Sequence, residues 1–80
     1  MGYPEDALFD DPCVHISGRD AAVIEGCKAV LLCGEERMSF DMGSFTVSFY
    51  GEKMLIEELS RAGLKLAGRI RSITLDVKGV

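Results

Sequence analysis

Tryptophan is absent from this chain of 80 residues, histidine occurs once, proline twice and cysteine three times. Each scarcity excludes something. Three cysteines are an odd count, too few for a disulfide scaffold, and suit a reducing compartment. The longest apolar run, Ala29-Val30-Leu31-Leu32-Cys33, is far short of the roughly 20 residues a membrane-spanning helix needs. Residues 1–12 hold no Lys or Arg and no apolar block, so no secretory leader is expected. Basic side chains are outnumbered 9 to 13 by acids and the pI is near 4.8. That balance argues against a sequence-independent nucleic-acid binder, whose affinity rests on Lys and Arg against phosphates. What remains is a small, soluble, cytosolic domain. At this length a chain buries only about 60% of its unfolded surface, so the core is thin.

The net charge of -4 is unevenly placed. Residues 1–12 carry Glu5, Asp6, Asp10 and Asp11 with no base, and are expected to form a flexible acidic tail ahead of a single domain over 13–80. Within that domain, residues 13–58 are acidic. Residues 59–80 hold Arg61, Lys65, Arg69, Arg71 and Lys78 against Asp76 alone. A solvated strand face accounts for this asymmetry, and so does a basic surface that meets an acidic partner.

Alternation at period two, the mark of half-buried strands, dominates the chain. Met38, Phe40 and Met42 alternate with polar neighbours, as do Phe45, Val47 and Phe49, and Gly43-Ser44 lies between them. That pattern predicts a β-hairpin. Upstream, Val14 and Ile16 face opposite to Cys13 and His15, and Gly18-Arg19-Asp20 supplies a turn. A short strand over 22–25 follows, then Cys27 to Cys33, apolar on both sides as a buried strand would be. Gly34-Glu35-Glu36 and Gly51-Glu52 read as turns. Residues 53–57 read as a strand and 58–62 as a tight corner, although Glu57, Arg61 and Gly63 also fit a short helix. Leu64 and Leu66 alternate, and the apolar phase slips after Gly68, which predicts a bulge or bend over 68–72. Val14-His-Ile-Ser-Gly-Arg19 is echoed by Leu64-Lys-Leu-Ala-Gly-Arg69. The expected fold is all-β, a small antiparallel β-sandwich or roll of six to eight short strands. The expected core is Val14, Ile16, Val23, Val30, Leu32, Met38, Phe40, Phe45, Val47, Phe49, Ile56, Leu64, Leu66, Ile70 and Ile73.

Chemistry is sparse. Cys13 and His15 share a strand face, but nothing nearby in sequence marks an oxyanion hole or an orienting acid, so no catalytic residue is expected. A zinc site built from Cys13, His15, Cys27 and Cys33 lacks the close Cys pair of a knuckle, because Cys27 and Cys33 are six apart. No metal site and no cofactor is expected. The isolated glycine turns do not open helices, which excludes the phosphate-loop fingerprints. Glu35-Glu36 and Glu57-Glu58 point to opposite strand faces and make no dyad. The one candidate interaction surface is the run Lys65, Arg69 and Arg71, able to grip a phosphate, a lipid head group or an acidic strand.

The order of the pieces carries more than any one of them. Val14-His-Ile-Ser-Gly-Arg19, Val23-Ile-Glu-Gly-Cys-Lys28 and Glu35-Glu-Arg-Met38 precede Phe49-Tyr-Gly-Glu-Lys-Met-Leu-Ile56, Leu64-Lys-Leu-Ala-Gly-Arg-Ile70 and Ser72-Ile73. Together they resemble the YabP/YqfC family of bacterial sporulation proteins over roughly Cys13 to Leu75. The segment Gly51-Glu-Lys-Met-Leu-Ile56 departs from the family's Gly-Glu-x-Leu-x-Ile by placing Leu55 one position late. The resemblance implies a small all-β protein without catalysis, acting in the mother cell of an endospore-former. It further implies a role in spore envelope or coat assembly, through contacts with other sporulation proteins, some membrane-anchored, and through self-association. An exposed sheet edge is the expected means. Binding of an anionic ligand or membrane surface through the basic C-terminal strands is the alternative. No nucleic acid and no small-molecule substrate is expected, and the expected location is the cytoplasm, at the forespore membrane or in the coat.

Overall fold

The computed structural model describes residues 12–78. Six strands, β1 (Cys13–Ser17), β2 (Ala21–Glu25), β3 (Ala29–Cys33), β4 (Arg37–Asp41), β5 (Phe45–Leu59) and β6 (Gly63–Val77), form one antiparallel sheet in the order β1-β2-β6-β5-β4-β3. The expected all-β antiparallel fold is present, with no helix among the described residues. The acidic tail, residues 1–11, lies outside them.

β5 and β6 are each 15 residues long, and they pair along their whole length. The chain does not turn at Gly51-Glu52; those residues lie inside β5. Local composition suggested a turn there, but the glycine serves a close approach. A Cβ on Gly51 would lie 1.8 Å from the Arg69 carbonyl oxygen. Gly68 faces the same crossing from β6: its φ is 139°, and a Cβ would come 2.6 Å from Met54 Cα. Lys53 is left-handed, at φ 53°, in the stretch where the register shifts between Glu52 and Leu55. These bulges bend both long strands, as the phase slip near Gly68 predicts. The expected strand over 53–57 is present, and 58–62 resolves into the end of β5 and a turn, where the Ser60 N–H donates to the Gly63 carbonyl (2.8 Å).

The bend gives the sheet two arms. The first is β1 and β2 paired with residues 63–67 of β6, and the second is β3 and β4 paired with residues 45–50 of β5. The turn of each arm holds the kink of a long strand. The Gly68 and Ile70 N–H groups donate to the Asp20 and Arg19 carbonyls (3.0 and 2.9 Å), and the Gly51 and Met54 N–H groups to Glu36 and Glu35 (3.1 and 2.8 Å). Ala22, Ile24, Leu64 and Leu66 from one arm join Met38, Phe40, Met42, Val47, Phe49 and Met54 in a single core. Phe40 and Phe49 meet edge to face, their centroids 5.9 Å apart.

The predicted hairpin is present: Arg37 faces Tyr50 and Asp41 faces Thr46. At its tip the Asp41 carboxylate accepts from the Gly43 N–H (2.9 Å). Nine expected core positions need correction or qualification. Met38, Phe40, Val47, Phe49, Leu64 and Leu66 are buried, while Val14, Phe45, Ile56 and Ile70 pack against the core from partly buried positions. In β2 the phase is shifted by one, so Ala22 and Ile24 are core and Val23 is half-buried on the outer face. Ile16, Val30, Leu32 and Ile73 are exposed. The Cys27–Cys33 segment contains an edge strand with every residue exposed instead of a buried strand, because among the described residues β3 has β4 on one side and no strand on the other. Apolar content alone does not distinguish a central strand from a bare edge.

Candidate functional site

Three features outside the core bear on function. The first is the basic run. Arg69 lies opposite Glu52, and Glu52 reaches both guanidinium groups, at 4.0 Å from Arg69 and 3.8 Å from Arg71. Lys65 stands apart, paired with Glu57 at 3.4 Å. The predicted ladder therefore divides into two arginines around one carboxylate and a separate lysine pair. Both arginines are well exposed and at the limit of ion-pair distance, where such a pair contributes about 0–1 kcal/mol. Arg19, absent from the predicted surface, joins them: Arg19, Asp20, Arg69 and Arg71 line an open hollow of about 340 Å³. Its signal in the sequence was the repeated Gly-Arg, since both echoes carry glycines of positive φ, Gly18 and Gly68, and the arginines that follow them line the same hollow.

The second feature is bare apolar surface on the second arm. Residues directly opposite in an antiparallel sheet share a face, so Val30, Phe40, Val47 and Leu75 form one row across β3, β4, β5 and β6. Phe40 and Val47 are 0% exposed, whereas Val30 is 46% and Leu75 62% exposed. The first arm covers the middle of this row and leaves both ends open. Ile73 and Val77 extend the row's bare end on β6, while Leu31 and Leu32 are exposed at the β3 bulge, where Leu32 pairs with Ser39 and so lies on the opposite face. Each margin is also an edge for backbone pairing, because among the described residues β3 pairs only with β4 and β2 pairs with β6 only over residues 63–67. At the tip of the β4–β5 hairpin, Asp41 takes the Lys78 ammonium, which with the Gly43 N–H holds its carboxyl below the usual carboxylate value.

The third feature is at the β1 edge. Cys13 faces Glu25 directly across the β1–β2 pair, and His15 is two residues along the same face. Cys13 Sγ is 3.1 Å from His15 Nε2, and the same nitrogen is 3.7 Å from Glu25 Oε1. Sequence alone placed Cys13 beside His15 but could not bring in Glu25, which arrives through the register. A nucleophilic triad uses one imidazole nitrogen for the thiol and the other for the orienting acid. Here both contacts fall on Nε2. Cys27 and Cys33 are not in this group. Cys27 donates to the Ala29 carbonyl (3.2 Å), and burial pushes its thiol pKa up, against the effect of that hydrogen bond.

The YabP family model matches residues 11–79, nearly the whole chain. No curated protein and no solved structure matches it. The family match runs through both arms, both kinks and the turns that hold them, as the order of short motifs implied. The chain belongs to the YabP family.

Proposed function

We propose that the protein is a non-catalytic assembly component of the spore envelope or coat, working through its bare sheet margins on other sporulation proteins and on copies of itself. Membership of the YabP family points to a sporulation-related protein. The observation that carries the finer reading is the row Val30-Phe40-Val47-Leu75, sealed at its centre and open at both ends. An unpaired edge that is also apolar offers backbone hydrogen bonds and buried area to an incoming strand. The two margins lie on opposite sides of one arm, so a contact joining β3 of one copy to the β6 end of the next is head-to-tail and uses different surfaces on the two copies. Such head-to-tail contacts build rings or open chains, where a symmetric contact stops at two. The setting that suits this reading is the mother-cell cytoplasm, at the forespore membrane or within a coat layer.

Sedimentation velocity over a wide concentration range tests the reading. The expected result is a mass that grows with concentration, and a shift toward monomer in Leu31→Lys and in Leu75→Lys. Both side chains are exposed, so the stability of each variant should stay within about 0.5 kcal/mol of wild type. A strict monomer at every concentration overturns it.

A second reading rests on the convergence of Arg19 with Arg69 and Arg71, which together could hold an anionic head group. Flotation with vesicles rich in anionic lipid separates the two readings. Binding by wild type that is lost in Arg69→Glu/Arg71→Glu favours the anionic ligand, and absence of binding by wild type removes it.

A further inference from the structure

We infer that Cys13, His15 and Glu25 form a binding site for a thiophilic divalent cation of the zinc class. The three candidate ligand atoms, a sulfur, a ring nitrogen and a carboxylate oxygen, all lie within 4.8 Å of one another. Bond lengths of about 2.3 Å to sulfur and about 2.0–2.2 Å to nitrogen and oxygen, at tetrahedral angles, require ligand atoms separated by roughly 3.4–3.6 Å. The Cys13 Sγ to His15 Nε2 distance of 3.1 Å and the Nε2 to Glu25 Oε1 distance of 3.7 Å bracket that range.

Direction matters as much as distance. A hydrogen-bonded relay would place its two partners on opposite ring nitrogens, whereas a cation draws every ligand toward one point. Thiol and carboxylate both approach Nε2, which is the convergent arrangement. The sheet supplies it: register puts Cys13 opposite Glu25, and the two-residue repeat puts His15 beside Cys13 on the same face. His15 and Glu25 have side chains 62% and 47% exposed, so the metal has an entry path and the side chains have room to close the remaining distance.

The ligand set selects the ion. Thiolate and imidazole favour zinc and its neighbours over magnesium and calcium, which take oxygen ligands. On binding, the Cys13 thiol loses its proton to solvent as the sulfur–metal bond forms, and His15 binds as neutral imidazole. Three protein ligands leave a fourth position for water or for a donor from another chain.

Titration of the reduced, metal-free full chain with Co(II), followed by displacement with Zn(II), tests the site. The expected result is one metal per chain, with a thiolate-to-cobalt charge-transfer band and visible bands of tetrahedral intensity that zinc abolishes and excess Mg(II) or Ca(II) leaves unchanged. Cys13→Ser and His15→Asn should each weaken binding by more than the roughly 10–100-fold that loss of an outer partner costs. Glu25→Gln should weaken it as well, and Cys27→Ser/Cys33→Ser should bind as wild type does. Circular dichroism establishes that each variant keeps its sheet. No metal bound by folded wild type overturns the site, as does binding that survives in folded Cys13→Ser or is lost in folded Cys27→Ser/Cys33→Ser.

Discussion

The two arms of the sheet are built alike and finished differently. Each is a short two-strand unit laid on one end of a long strand, and each uses its turn to hold a kink, Arg19-Asp20 against Gly68 and Ile70, Glu35-Glu36 against Gly51 and Met54. Their outer edges diverge. β1 ends the first arm with Cys13 and His15 on its outer face, both within reach of Glu25. β3 ends the second arm with five exposed residues, Ala29 to Cys33, none of them charged. Folding needs the inner rows of both arms and is indifferent to what lies on their edges. On the proposed reading, the β1 edge carries the fold's chemistry and the β3 edge its capacity for assembly.

The largest effect that bears on the comparison is removal of what the arms share. Phe49→Ala deletes the edge-to-face partner of Phe40 at the centre of the common core. It should cost about 3–5 kcal/mol, a large part of the stability of a domain this small. Because one cluster joins both arms, denaturant melts of the variant should show a single transition by every probe. Two separate transitions would mean that the arms are independent units.

Much of this organisation was legible in the sequence, and the failures share a cause. The hairpin of β4 and β5 showed because Met38, Phe40, Val47 and Phe49 alternate cleanly and are covered on the inner face. Gly51 was misread because a glycine that makes a turn and a glycine that admits another backbone look the same in one dimension. β3 was misread because hydrophobic composition says that a strand is apolar, and topology alone says whether it has a neighbour on both sides. Of the candidate sites, the pairing of Cys13 with His15 followed from spacing, whereas Glu25 and Arg19 came in through register and turn packing. Cross-strand partners are the part of a β protein that a single sequence specifies least openly.

A smaller effect sharpens the contrast at the tip of the second arm. Asp41 is held in its ionised form by Lys78 first and by the Gly43 N–H second. Its folded-state pKa lies below its unfolded value, so its contribution to stability is complete at neutral pH. That contribution is lost as pH falls below about 4 and through the folded value. Asp41→Asn should be slightly less stable than wild type at pH 7, and the difference should vanish at strongly acidic pH. A difference that grows on acidification would contradict the assignment.

The central claim is that the second arm, and not the first, is the face that assembles. Amide hydrogen exchange measured at low and high protein concentration tests it most directly. The account predicts that protection rises with concentration over residues 30–33 of β3 and 72–77 of β6, while residues 14–17 of β1 exchange at the same rate throughout. Protection that rises over β1 alone, or over neither edge, would contradict it.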